Sequence, residues 1–279
     1  MKEYIFILIF LLLAVFLSGC INQPSQNVSV AGKVSVDMNV SPIVAPKNTP
    51  ISVSLKVSNK ALVPIKNVEA SLFGPVEWQL GEVKTTPRIE PNGEREYTWN
   101  VRTSLPGKYY IHGKISYTIE NNRTATYRVV KYGTPVTETP RLVSQSDDLG
   151  GPIRIDFSGT APMIYPDEGG TLSIKIILTN IGDGRAYRIG GSPEEGKGLD
   201  QVEVSVYAPG LTFVGSSDPV CGKTDYVDLI NKGTSASIYC DAFINPQDVD
   251  MIKDYVVIVN VRLNYFHQKT TPQITITER

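Results

Sequence analysis

Strict alternation of apolar and polar positions begins past residue 31 and recurs almost to the end of the chain. Ile51, Val53, Leu55 and Val57 alternate with Ser52, Ser54, Lys56 and Ser58. A period of two puts one set of side chains on a buried face and the other in water, so this stretch predicts a half-buried strand. The same reading applies to Val68, Ala70 and Leu72, to Tyr97, Trp99 and Val101, and to Tyr109, Ile111, Ile115 and Tyr117. Asn121-Asn122 then predicts a hairpin turn into Ala125, Tyr127 and Val129. With a leading strand near Lys33–Val40, that makes about seven short strands, the signature of a β-sandwich.

The pattern occurs twice. The run ISVSLKVSN from Ile51 aligns with LSIKIILTN from Leu172, both ending in Asn, at positions 59 and 180, an offset of 121. VEASL from Val68 aligns with VEVSV from Val202, an offset of 134, and KYYIHGKI from Lys108 aligns with DYVVIVNV from Asp254, an offset of 146. The growing offsets place extra residues between the second and third strands of the later copy, and again after its third. The expected organisation is a signal segment at 1–19, a polar tether at 20–31, one sandwich at 32–132, a Pro-containing linker at 133–151 and a second sandwich at 152–279. Composition agrees: Val, Ile and Thr supply 76 of the 279 residues against 11 Ala, and β-branched side chains suit a pleated surface better than a helix. The net charge of -1 gives no electrostatic reason to expect nucleic-acid binding.

Tyr4 to Leu17 is an unbroken apolar run of 14 residues after Lys2. At 1.5 Å per residue it covers ~21 Å, short of a bilayer's ~30 Å hydrocarbon core, as befits a signal segment. Leu17-Ser18-Gly19-Cys20 closes it. These four residues resemble the lipobox of prokaryotic lipoproteins, which implies lipid on Cys20 and a chain held by that anchor on the extracytoplasmic face of the cell membrane; an uncleaved membrane anchor is the other reading. Three Cys then become one lipid site and a pair, Cys221 and Cys240, and in an oxidising compartment the pair predicts a disulfide. Neither is flanked by His or a second Cys, which argues against a metal. Asn27, Asn39 and Asn122 begin N-x-S/T sequons and are candidate glycosylation sites in a host that glycosylates.

The alternating strands together with Asn180-Ile181-Gly182 resemble CARDB and related NEW3-like domains, immunoglobulin-like modules of prokaryotic surface proteins. The likeness covers about 50–132 and 171–277. It implies an all-β fold of two tandem immunoglobulin-like sandwiches, used as stalk, spacer, adhesion or carbohydrate-proximal module. Tyr109 and Tyr255, each at a strand start, resemble the tyrosine corner of such sandwiches.

Candidate chemistry is sparse. His112 shares a face with Lys114 and Ser116, and no G-x-S-x-G, H-E-x-x-H, C-x-x-C or phosphate-binding Gly loop occurs. Asp225 with Asp228, and Asp248, Asp250 and Asp254, are acidic groups that match no calcium-loop pattern. Trp78 and Trp99 are candidate sugar-stacking platforms, but Trp99 shares a face with Tyr97 and Val101 and reads as core, while Trp78 lies near an edge. The Gly-rich insertion 184–200 is expected to be a loop emerging beside the last hairpin, which brings Arg185, Tyr187, Arg188, Glu194 and Glu195 near His267 as a candidate binding surface. The sequence therefore predicts a membrane-tethered, non-enzymatic binding or structural module with no cofactor and an unidentified protein or carbohydrate partner. The first sandwich is expected to hold the second away from the membrane. The other reading is an accessory subunit of a transporter, secretion or filament complex in the cell envelope.

Overall fold

The structure, a computed structural model, describes residues 33–278 except 136 and 216. The signal segment, the tether, Cys20 and Asn27 lie outside the described residues. The described residues form an all-β fold, with 64% of them in strands. In chain order the first half carries β1 (Val34–Ser41), β2 (Val44–Pro46), β3 (Ile51–Asn59), β4 (Ile65–Phe73), β5 (Lys84–Ile89), β6 (Glu94–Val101), β7 (Gly107–Tyr109), β8 (His112–Lys131) and β9 (Arg141–Gln145). The second half carries β10 (Ile153–Thr160), β11 (Met163–Ile164), β12 (Gly170–Asn180), β13 (Arg185–Ser192), β14 (Lys197–Leu199), β15 (Gln201–Tyr207), β16 (Thr212–Phe213), β17 (Thr224–Asp228), β18 (Ser235–Ile244), β19 (Ile252–Thr270) and β20 (Ile274–Thr277).

Two small sheets, β1-β3-β6 and β10-β12-β18-β16, lie against one long sheet whose centre is β8 paired with β19. These two strands run antiparallel without a break, from Ile252 opposite Val130 to Thr270 opposite His112. Their odd-numbered residues, among them Ile115, Tyr117, Tyr127, Val257, Val261 and Tyr265, are buried along almost the whole length. The same face of the long sheet therefore backs both small sheets, and a single hydrophobic cluster runs through both sandwiches.

The internal repeat is visible in the pairing. Val34 opposes Asn59 as Ile153 opposes Asn180. Ala70 opposes Ile115 as Val204 opposes Val261, which reproduces the offsets of 134 and 146. Each repeat thus builds its own small sheet and its own half of the long sheet. Each half also takes in a strand segment from the other repeat: residues 262–270 of β19 pair into the first sandwich, and residues 121–130 of β8 into the second.

Three expectations change. Asn121-Asn122 is no hairpin turn. Neither residue has the positive φ that a two-residue turn of that type needs, and Asn121 is buried, its Nδ2 donating to Gly150 O at 3.0 Å. An uninterrupted inward-facing pattern on both sides of the Asn pair outweighs the local turn signal. The stretch 133–151 does not simply link two bodies, because Arg141–Gln145 within it pairs with β8 and Leu149 O accepts from Leu62 N. The insertion 184–200 is a hairpin, β13 with β14, docked on the edge of β19.

Residues 33–34 enter the fold at the waist. Val34 opposes Asn59, and Leu62, just beyond, bonds to Leu149 at the entrance to the second repeat. The disulfide expected between Cys221 and Cys240 is formed, with Cα atoms 5.7 Å apart. It fastens the segment after β16 to β18.

Candidate functional site

The residues singled out from the sequence divide between two faces of the long sheet. Alternation decides this: Tyr265 and His267 point into the core, whereas Phe266 and Gln268 point out of it. His267 is 1% exposed. Its Nε2 stands 3.2 Å from the Tyr117 hydroxyl, and its Nδ1 stands 2.6 Å from Asp183 Oδ1 without hydrogen-bond alignment. Burial pushes the His267 pKa below its ordinary value, against the pull of Asp183. Burial likewise raises the Tyr117 hydroxyl well above its usual range. Burial works to raise Asp183 as well, but Lys269 at 2.6 Å and His267 more than offset it, so that carboxylate stays lowered. Tyr117 and His267 are buried, and the line from them ends at the exposed Asp183. His267 cannot touch a ligand at the surface, and the expected grouping with the hairpin does not form.

The hairpin residues are placed differently. Arg185 pairs with Asp200, which raises its pKa further. Tyr187 is half-buried and packs edge-on against Phe266 at 6.0 Å, and that burial raises its pKa. Arg188 lies over the Tyr226 ring at 4.4 Å. Glu195 pairs with Lys197 at 2.7 Å on the exposed tip. Glu194 reaches across β19 to pair with Lys114 on β8, and this contact lowers its pKa.

Beneath that contact lies a groove of about 430 Å³ on the outer face of the long sheet. Ser71, Phe73, Lys114, Phe266 and Gln268 line it from the sheet, and Pro193 and Glu194 from the hairpin tip. Phe73 stacks on His112 at 5.2 Å, and His112 is held by Thr270 Oγ1 at 2.8 Å. The Lys114 ammonium sits 5.4 Å from the Phe266 ring centre. Sequence reasoning found Glu194 but missed Lys114, Phe73 and Phe266. Alternation marked Lys114 as outward-facing, yet nothing local said that a hairpin from another strand would arch over it.

The other candidates are structural or unengaged. Asn39 is exposed on β1, and Asn122 is exposed mid-strand on β8. Trp78, expected at an edge, is 5% exposed and packs edge-on against Tyr109 at 5.4 Å. The Tyr109 hydroxyl donates to Leu105 O at 3.1 Å, as a tyrosine corner should. The buried Tyr255 hydroxyl has no such partner. Arg128 takes up Asp254, and no cluster of three or more metal-ligating side chains occurs among the described residues.

No family model and no curated protein matches the chain. Among solved structures, it is similar over 88% of its length to Escherichia coli alpha-2-macroglobulin activated by porcine elastase, at 11% identity and a TM-score of 0.22. Red sea bream transglutaminase is matched over 88% of this chain at 8% identity and a TM-score of 0.22. The collagen binding domain of an Erysipelothrix rhusiopathiae surface protein is matched over 88% of this chain and 90% of its own, at 11% identity and a TM-score of 0.15. The chain spans 22% and 31% of the first two proteins. At these scores none of the three superimposes on it as a whole.

Proposed function

We propose that this chain is a non-catalytic binding or spacer module on the extracytoplasmic face of the cell membrane, held there by lipid on Cys20. The observation that carries the reading is the shared β8–β19 pair, which joins two sandwiches into one stiff body without a linker for them to flex about. Lipid attachment rests on the lipobox-like residues 17–20. Thirteen residues, 20–32, precede the fold, and a fully extended chain of that length spans at most ~45 Å. Because they join at the waist, both ends of the body project from the tether, and neither sandwich merely props up the other. Asn39 and Asn122, both exposed, are the sequons within the fold that a glycosylating host could modify.

An accessory role in a cell-envelope complex is the second reading. It is favoured by apolar exposure at the far end of the second sandwich, where Tyr132 and Tyr165 stack at 5.0 Å beside exposed Met163, Met251 and Ile252. Both readings are tested by extracting the native protein in detergent, identifying what co-purifies, and measuring the intact mass of its N-terminal peptide. Lipid on Cys20 and release of the Cys20→Ser variant from membranes are the expected results. An N-terminus that keeps Met1, or unchanged membrane retention of the variant, overturns the anchor. A stoichiometric protein complex selects the accessory role.

A further inference from the structure

The Glu194–Lys114 contact is unusual in how its two ends are held. Lys114 is in the middle of the sheet, its side chain 20% exposed, in a cross-strand row with Ser71 and Gln268. Its ammonium stands near the Phe266 ring and pairs with the carboxylate, and among the described residues Glu194 is its one ion-pair partner. Glu194, by contrast, is 64% exposed, on a tip flanked by glycine. Gly190 and Gly196 hold φ of +74° and +69°, and a methyl group added at either would meet nothing within 4 Å. Between Tyr187 and Ser192 the hairpin pairing slips out of register. A mostly covered cation beside the Phe266 ring is therefore neutralised by a carboxylate on an exposed hairpin tip.

Desolvation strengthens the pull of Lys114 on any anion that replaces Glu194. Phe73 and Phe266 offer apolar surface to whatever carries that anion, while Ser71 and Gln268 supply polar groups at the rim. The groove is large enough for a compact organic acid or one terminal residue of a peptide. We propose that it binds a carboxylate borne on an apolar body, and that Glu194 is a built-in occupant which the ligand's carboxylate displaces from Lys114. This rests on the binding-module reading and gives it a site and a ligand class. Tyr187 on Phe266 and Arg188 on Tyr226 keep the base of the hairpin in place when the tip lifts.

Internal competition gives the test its direction. A ligand that must displace Glu194 binds a variant lacking that charge more tightly, because the competent state no longer has to be opened first. The full chain in detergent, with a detergent-only blank, is titrated calorimetrically with 4-phenylbutyrate and with its uncharged counterpart 4-phenylbutanol. A pentapeptide ending in Phe is used in free-acid and amide forms. Glu194→Gln is expected to bind the acids about tenfold more tightly than the unmodified protein, and Lys114→Gln to lose at least about tenfold. The alcohol and the amide should bind neither protein measurably. If the peptide acid is the tighter ligand, the natural source is a chain terminus; if phenylbutyrate is, a free organic acid. Equal affinity for acid and alcohol, or no gain in Glu194→Gln, overturns the proposal. Glu194→Gln lies on the exposed tip, so the proposal stays testable should Lys114→Gln fail to fold. Failure here while a partner still co-purifies with the native protein rejects the groove and leaves the binding module standing.

Discussion

His267 is the residue whose surroundings make the sharpest demand. It is an imidazole in the core, between a phenol and a carboxylate, with its pKa lowered by burial. The unfolded chain therefore binds a proton at His267 at a higher pH than the folded one does. Stability should fall as pH drops through about 6.5, and keep falling until the folded pKa is passed, with a slope of at most about 1.4 kcal/mol per pH unit. Asp183, lowered in the fold, adds loss in the same direction, but only as pH falls below the ordinary carboxylate range. Urea unfolding measured between about pH 7.5 and pH 5 checks this, and His267→Gln should flatten the slope in that window. An unchanged slope would place the titration elsewhere. Asn59 and Asn180 show how much a single residue can reveal in advance. Each ends its strand, accepts from the amide two residues on (Ala61 and Gly182), and donates to the carbonyl four residues on (Val63 and Gly184). Their alignment was legible in the sequence because an Asn at a strand end that turns away from water has to satisfy the same polar groups each time.

Among the elements, the strands were legible and their ends were not. Alternation located β3, β4, β6, β12 and β15, since one face of each must be buried. It could not say that β8 continues through Asn121-Asn122, because the pattern is the same on both sides of a turn as along a straight strand. What decides between them is a partner 140 residues away in sequence, Val261 opposite Asn121. The groove was illegible for the same reason, as it is assembled by β4, β8, β19 and the β13–β14 hairpin. The disulfide belongs at this scale too. It ties Cys221 to the interior of β18, which pairs with both β12 and β16, and it closes a loop with a sequence separation of 19 residues. Replacing both cysteines by Ala should cost about 3 kcal/mol, read as a lower denaturant midpoint. Reduction of the unmodified protein should produce the same shift.

The whole molecule behaves as one cooperative unit if each sandwich depends on the other's strand. Both Trp residues, Trp78 and Trp99, belong to the first repeat, and so their fluorescence reports on the first sandwich. Leu178 is fully buried in the second. Leu178→Ala should destabilise by about 2–5 kcal/mol, and the Trp signal should shift with it to a single, lower midpoint that coincides with the circular dichroism transition. Two separate transitions would show that the sandwiches melt independently.

The exchanged strands also fix a timetable for folding. A chain synthesised N-terminus first presents the first repeat early, but residues 262–270, which pair into it, follow only after the earlier strands of the second repeat. Until then β8 keeps an unpaired edge along most of its length, and neither sandwich can close. Vectorial, repeat-by-repeat maturation is closed to this protein. Its folding has to wait until β19 has emerged, and the exposed edge of β8 during that wait is where a holding chaperone, or a second unfinished copy, would find its purchase.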